Sequence, residues 1–356
     1  MLSQDSIAFL HRLLDAAGPS GFESDAARVW RTEAAAIGRV SSDVAGNSVA
    51  VINAGAPVTV MLAGHIDEIG VIVTWIDDDG FAYIAPIGGW DPQVLVGQRL
   101  RFLGGDGDVI GVVGRKPVHL LKPDARDKAV KFEDLWVDIG AASRADAEAR
   151  LSVGDAGVID TRVITLPNHR LASRAVDDRI GAFVILEALR RYAERPGVAA
   201  VAAVATTQEE IGHHGGGALI AAGRLNPAMA IAVDVTHATD HPTADRKDAG
   251  DHRLGGGPVL TRGSVISPVA FGILRDAAAR IGVPFTLQAA GRETSTDADF
   301  IHLAREGVAT ALVSVPNRYM HSPVELVSLA DLERIPELLA GFARSLKPGD
   351  AFKVKV

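Results

Sequence analysis

Histidines and carboxylates recur in this chain just after apolar runs, in a sequence with no cysteine at all. Val-Thr-Val-Met-Leu-Ala leads into Gly64-His65-Ile66-Asp67, and Val-Ala-Ala-Val-Ala leads into Thr206-Thr207-Gln208-Glu209-Glu210. Ala-Met-Ala-Ile-Ala-Val is followed by Asp234, and the apolar run ending at Val315 by Tyr319-Met320-His321-Ser322. Asp177-Asp178 stand just before an apolar helical stretch that begins near Ile180. In open α/β sheets, sites form beyond the carboxyl ends of the strands, so residues in these positions are placed to converge. Two histidines with several carboxylates and no thiol form a donor set for hard or borderline divalent metals, and zinc, cobalt or manganese would fit it. Two such ions about 3.5–4 Å apart need a bridging carboxylate, which offsets their repulsion and leaves each an open position. The charges match this: Asp177, Glu210 and Asp234 with a shared hydroxide would balance two divalent cations.

His65 and Asp67 are two apart, and in extended chain such side chains point the same way, so Asp67 could orient His65. Glu209 and Glu210 are adjacent; in a turn at a strand end one can ligate metal while its neighbour faces the bound water as general base. Each feature alone has a plainer explanation. A single His65 or His321 reads as a surface or satisfied core histidine, Glu209-Glu210 as a solvated pair opening a helix, and Asp177-Asp178 as a helix cap. Their joint placement after predicted strands favours the metal reading. His213, His214, His237, His241 and His252 have no such placement and read as solvated loop residues.

The elements that must position these groups follow from periodicity. Apolar residues at Ile7, Leu10, Leu13 and Leu14 predict an N-terminal helix, and residues 58–63 a short buried strand. Residues 69–166 change to short Val/Ile/Leu runs punctuated by glycines, which predicts a small β-rich unit with one helix over 144–151 capped by Ser143. Beyond Arg174 predicted helices over 180–193, 218–222, 269–281 and 330–346 alternate with strands over 199–205, 228–233 and 309–315. That alternation predicts an α/β fold with a mainly parallel, doubly wound sheet, into which the β-rich stretch is inserted. Its 356 residues exceed what one core usually organises, in keeping with two units. The polar stretch 237–253 is expected to be a loop.

Composition narrows the chemistry. At 47% hydrophobic and 22% charged the chain has the balance of a folded globular protein. Its longest strictly apolar run, residues 198–205, cannot cross the roughly 30 Å of a bilayer core, so no membrane span is expected. The N-terminus reads as a helix face rather than a signal peptide, which makes a cytoplasmic location the expectation. A formal charge of −8 without a Lys/Arg block leaves no footprint for nucleic acid. P-loop, dinucleotide, nucleophile-elbow and His-Glu-x-x-His patterns are all missing.

Seven segments, in order along nearly the whole chain, carry a family resemblance: Pro19-Ser20-Gly21-Phe22-Glu23, Asp43-Val-Ala-Gly46-Asn47, Gly64-His65-Ile66-Asp67-Glu68-Ile69-Gly70, Ala175-Val176-Asp177-Asp178-Arg179, Gln208-Glu209-Glu210-Ile211-Gly212, Asp234-Val235-Thr236 and Arg318-Tyr319-Met320-His321-Ser322-Pro323. They resemble those of the tetrahedral (TET) aminopeptidases, metallopeptidase family forty-two. Gly114-Arg-Lys-Pro-Val-His119-Leu-Leu and Leu135-Trp-Val-Asp138-Ile-Gly140 resemble the family's inserted domain. The resemblance implies a zinc-peptidase-like catalytic domain from residues 1–68 and 167–356, with residues 69–166 as a PDZ-like insertion that makes dimer contacts. It implies two divalent ions, zinc or cobalt with manganese also allowed: His65 and Asp234 on one, Glu210 and His321 on the other, and Asp177 bridging. Glu209 would be the base and Asp67 the support of His65. A metal-bridged hydroxide would then hydrolyse peptides that have a free N-terminus, and dimers would assemble into a hollow tetrahedral dodecamer. The chain departs from the family after Gly212, where His213-His214-Gly215-Gly216-Gly217-Ala218 replaces the usual Arg-Gly-Ala, and in the long polar loop 236–253. The rival readings are a deacylase or dipeptidase on a similar dinuclear site, and a catalytically silent assembly scaffold.

Overall fold

The computed structural model of the chain describes residues 2–123, 126–212 and 216–354. Helical spacing at the N-terminus becomes α1 (Gln4–Asp15), which buries Phe9, Leu10, Leu13 and Leu14 and is capped by Ser3, whose hydroxyl accepts from Ser6 N. Next comes α2 (Ser24–Ala34), fixed by the buried Trp30, whose indole donates to Ala182 O at 2.9 Å. Three strands follow: β1 (Arg39–Ser42), β2 (Ser48–Ile52) and β3 (Thr59–His65).

The Gly-punctuated stretch then leaves the sheet and closes on itself. Strands β4 (Gly70–Ile76), β5 (Ala82–Ile87), β6 (Arg99–Gly104), β7 (Gly107–Arg115), β8 (Leu135–Asp138) and β9 (Ala156–Ile159) form a closed barrel in the order β4-β5-β8-β7-β6-β9. Closure leaves no unpaired sheet edge within the barrel. Its interior is an apolar cluster of its own, with Leu100, Phe102 and Val137 fully buried. The helix α3 (Arg144–Glu148) lies within this stretch, and the hydroxyl of Ser143 accepts from Asp146 N as the sequence suggests.

Past the barrel come β10 (Ile164–Leu166), β11 (Arg170–Ser173) and the long α4 (Val176–Glu194). The alternation then runs β12 (Ala200–Thr206), α5 (Gly216–Leu225), β13 (Met229–His237), α6 (Arg246–Ala249), β14 (Val259–Gly263), α7 (Pro268–Ile281), β15 (Thr286–Ala290), α8 (Ala298–Ile301), β16 (Ala309–Asn317), β17 (Glu325–Ser328) and α9 (Leu329–Ser345). An eight-stranded mixed sheet orders these as β1-β2-β12-β3-β13-β16-β14-β15, while β10, β11 and β17 form a small antiparallel sheet. The four central strands β12, β3, β13 and β16 pair in parallel, so their carboxyl ends share one edge. All of β12 and nearly all of β13 is buried, which is why these segments read as unbroken apolar runs in the sequence.

One close approach sets α4 on the sheet. A Cβ at Gly64 would lie 2.6 Å from the carbonyl carbon of Gly181, so the backbones of β3 and α4 meet where neither residue has a side chain. That contact puts the start of α4, with Asp177 and Asp178, beside the end of β3. Phe183, fully buried one turn further along, packs its ring 5.7 Å from that of Phe9. Phe183→Ala is expected to cost about 3–5 kcal/mol of stability. The measurement is a lowered urea midpoint at unchanged m value; a loss under about 1 kcal/mol would show that this helix contact does not hold the fold.

Two expectations are corrected. Residues 237–253 are not loop throughout, since α6 forms one short turn there, capped by Asp245, whose carboxylate accepts from Lys247 N. His252 is not solvated: it is fully buried, with Nδ1 2.8 Å from Thr286 Oγ1, and burial lowers its pKa. Neither β14 nor β15 stands out in the sequence: β14 has only three buried residues before it runs out to exposed positions, and β15 alternates half-buried and exposed residues. Among the described residues no helix is long and apolar enough to cross a membrane.

Candidate metal centre

The site lies at the shared carboxyl edge. His65 ends β3 directly across from Thr206, which ends β12. After Thr206 the backbone turns sharply through Gln208, whose φ is 61°, and brings Glu209 and Glu210 back over the edge. Asp67 holds that turn: its Oδ1 accepts Glu209 N at 3.2 Å, and its Oδ2 accepts Glu210 N at 3.1 Å and the hydroxyl of Ser20. It also lies beside His65, with Oδ1 3.5 Å and the backbone carbonyl 3.2 Å from Nδ1. The sequence suggests only the second of these contacts; the hold on the two glutamates depends on the tertiary fold.

Asp177 enters from the start of α4. Ala175, in the left-handed region at φ 56°, turns the chain into the helix, and Asp177 and Asp178 depart from helical angles, joined by a cis peptide. One Asp177 oxygen lies 3.1 Å from His65 Nε2 and the other 3.4 Å from His321 Nε2. His321 Nε2 is also 3.3 Å from Glu210 Oε2, and His65 Nε2 is 3.8 Å from Glu209 Oε2. Asp234, in β13, has a carboxylate oxygen within 4.8 Å of ligand atoms of His65 and Asp178, while His65, Asp177 and Glu210 form a second such group. Structure thus brings His65, Asp177, Glu209, Glu210, Asp234 and His321 into one neighbourhood, with Asp67 beneath the glutamates.

Two more carboxylates organise this cluster: Glu325, which escapes the sequence reading, and Asp178, which enters it only alongside Asp177. Glu325 opens β17 and accepts Asp177 N at 3.0 Å through Oε2 and His321 N at 2.8 Å through Oε1, tying the two segments together. Asp178 accepts His65 N at 3.2 Å and Gly181 N at 3.1 Å. The only signal for Asp178 is its adjacency to Asp177; for Glu325 it is the short distance from His321. Glu68 is engaged elsewhere, buried between Arg174 and Arg179, and Arg179 also donates to the carbonyls of Leu13, Ala16 and Ile66. These arginines therefore do not neutralise the metal-edge carboxylates. His237 is exposed, and His241 lies with its ring tilted 52° against that of Tyr319, centroids 6.1 Å apart, rather than joining the cluster. His213 and His214 lie outside the described residues.

The electrostatics show what the cluster lacks. Burial opposes charge on His65, yet Asp177, Asp67 and Glu209 raise its pKa well above the usual imidazole value. Burial also opposes charge on His321, but Asp177 and Glu210 push it up to about 11. Conversely, burial and then Asp234 raise Asp178, while burial and the charge of Asp177 raise Asp234. Among the described residues no arginine or lysine pairs with Asp178 or Asp234, and buried carboxylates placed so close together draw in protons. Glu210 Oε1 is buried with no hydrogen-bond partner among the described residues. Divalent metal ions fit this set: they would replace the protons, take up the unpartnered oxygen and balance the charge.

The barrel completes the wall. A Cβ at Gly89 would stand 3.3 Å from His321 Nδ1, and one at Gly88 3.4 Å from Glu210, so bare backbone faces both side chains. A cavity of about 10 Å³ there, room for about one water, is lined by Trp90 and Ile159 of the barrel and by Arg174, Asp177, Glu210 and Glu325.

Comparison with known proteins finds aminopeptidases similar to this chain. A family profile described as M42 glutamyl aminopeptidase matches residues 46–338. The lysyl aminopeptidase of Pyrococcus furiosus is 38% identical over 314 residues, spanning 87% of this chain and 88% of that protein. The glutamyl aminopeptidase of Lactococcus lactis is 30% identical over 303 residues, 83% of each. A TET aminopeptidase from a marine sediment archaeon of the Thaumarchaeota superposes with a TM-score of 0.91 at 32% identity, covering 97% of both chains. The Pyrococcus horikoshii TET1 peptidase, described as able to assemble into a tetrahedron or a large octahedral shell, gives 0.84 at 27% identity, covering 96% of this chain and all of that one.

Proposed function

This chain belongs to the M42 glutamyl aminopeptidase family, and on that premise we propose that it is an aminopeptidase that hydrolyses N-terminal residues from peptides at a centre of two divalent metal ions. The observation that carries the reading is the Asp177 carboxylate, which offers one oxygen to the His65 side and the other to the His321 side, 3.1 and 3.4 Å from the two imidazoles. In the proposed assignment His65 and Asp234 hold one ion, Glu210 and His321 the other, and Asp177 is shared. Zinc or cobalt suits these donors, with manganese also allowed. Bound there, the ions would polarise the scissile carbonyl and acidify water.

The remaining steps belong to the protein. Glu209 is not needed as a ligand in this assignment, and its Oε2 lies beside His65. It takes a proton from the attacking water and returns it to the leaving amine. Burial, then the charges of Asp234, Asp297 and Glu210, raise the Glu209 pKa well above the usual carboxylate range, in the direction a proton-shuttling group requires. Asp67 acts as a positioning residue, because both glutamate N–H groups are fixed on its carboxylate. The Gly88-Gly89 backbone lies against the Glu210 and His321 side chains.

We further assign residues 1–68 and 167–356 to the catalytic domain and 69–166 to the insertion. The strand order supports a doubly wound, zinc-peptidase-like core, and the closed barrel supports likening the insertion to a PDZ-like domain. Dimer contacts through the insertion, a tetrahedral dodecamer and a cytoplasmic location are parts of the same proposal, supported by the likeness to TET relatives. Retention of every matched donor speaks against a silent scaffold.

The test uses chelated protein restored with zinc, cobalt or manganese and assayed on leucine p-nitroanilide, short peptides and N-acetylated amino acids. Free-amine substrates should be cleaved only after metal is restored, and acylated ones at least about tenfold more slowly. Cleavage of the acylated substrates alone would establish a deacylase instead, and failure to bind metal would leave a scaffold.

A further inference from the structure

The turn that carries the proposed base is held from outside. Four successive backbone N–H groups donate to side chains brought in from other segments: Thr207 N to Asn47 Oδ1 at 3.1 Å, Gln208 N to Glu23 Oε1 at 3.2 Å, and Glu209 N and Glu210 N to the two oxygens of Asp67. Asn47 takes the amide next to β12, and Asp67 takes those of the two glutamates. Glu23 takes the amide between, at the residue where the chain reverses. Gln208 has φ 61°, in the left-handed region that a side chain makes costly, so the reversal persists only where its surroundings fix it.

Glu23 serves that turn and not its own helix. It directly precedes α2, where a carboxylate would ordinarily face the helix's first N–H groups, yet its side chain makes no such bond. Its Oε1 instead accepts Gly21 N at 2.7 Å as well as Gln208 N, and the residue is only 8% exposed. The segment around it is anchored. Glu23 O accepts Ala27 N at 2.9 Å, Phe22 N donates to Pro19 O at 2.8 Å, and Ser20 donates through its N–H to Glu68 O at 3.2 Å and through its hydroxyl to Asp67. Gly21, at φ 87°, brings the backbone up to the Gln208 side chain, where an added Cβ would lie 3.9 Å from Nε2. Residues 19–23 therefore grip the turn twice, through Ser20 on Asp67 and through Glu23 on Gln208.

Resting on the function proposed above, we propose that Glu23 is a positioning residue for Glu209: its carboxylate fixes the Gln208 amide and with it the direction in which Glu209 leaves the turn. The role needs no contact with substrate or metal. It acts through one amide, so what it requires is an acceptor at Oε1 and not a negative charge.

Two readouts separate this role from a merely structural one. Steady-state kinetics on metal-restored protein with leucine p-nitroanilide compare the parent with Glu23→Ala and Glu23→Gln. Loss of the acceptor in Glu23→Ala should lower kcat about 10- to 100-fold, as when a reacting group is displaced by about 1 Å, with KM and metal content near parental. Glutamine keeps the acceptor, so Glu23→Gln should recover most of the lost kcat. Hydrogen exchange read by mass spectrometry on metal-free protein is the second readout: peptides spanning 206–212 should exchange faster in Glu23→Ala and not in Glu23→Gln. Parental kcat or unchanged exchange in Glu23→Ala would overturn the inference, as would metal lost together with turnover, or a glutamine variant as slow as the alanine one. If Glu23→Ala does not fold, Glu23→Asp withdraws the acceptor by one methylene; a kcat below that of Glu23→Gln supports the role and an equal one overturns it. Should the parent fail to cleave free-amine substrates at all, the function above falls; if it cleaves them and Glu23→Ala matches it, only this inference falls.

Discussion

Glu209→Gln is expected to lower kcat by about 10²–10⁴-fold while the protein keeps its full complement of metal. Glutamine retains the size and polarity of the side chain, and its backbone N–H can still donate to Asp67 Oδ1. What it loses is the ability to accept and return a proton. In the proposed assignment Glu209 is not a ligand, so metal content measured after dialysis should match the parent. A variant with near-parental turnover would remove Glu209 as the base, and one that lost metal would make it a ligand. The neighbouring Glu210→Gln separates the two roles, since its oxygens face His321 and it should lose metal along with turnover.

Asp177→Ala carries the second large effect. Among the described residues Asp177 is the carboxylate within 3.5 Å of both imidazoles, so its removal should weaken both halves of the centre together. Even partners one shell beyond the ligands typically cost 10–100-fold in affinity, and loss of a shared ligand should exceed about 100-fold. Metal content after dialysis should therefore fall sharply and turnover with it, while the far-ultraviolet circular dichroism stays parental. Fold retention is expected because Asp177 meets Glu325 through its backbone N–H, which alanine keeps. A variant that still held both ions would show that Asp177 is not the shared ligand.

These two experiments probe what could be read early and what could not. The apolar runs that become β3, β12, β13 and β16 are legible because strands buried on both faces must be apolar throughout, and that alone puts His65, Glu209, Glu210 and Asp234 at or near strand ends. The glycine-punctuated insertion is legible for a related reason: short barrel strands need frequent turns. Glu325 was not legible, because a carboxylate that accepts two backbone N–H groups looks, in sequence, like any solvated glutamate. His252 is buried against expectation because a polar loop gives no sign that it folds back onto β15.

By itself the sequence determined the alternation of strand and helix, the family, and the kinds of side chain available for chemistry, since each depends on local pattern and residue type. Tertiary structure alone decided that Asp177 faces two histidines, that Asp67 holds both glutamates, and that the barrel backbone lies against His321. Those are distances between segments more than a hundred residues apart, set by how α4 and the barrel pack on the sheet, and no local pattern encodes them.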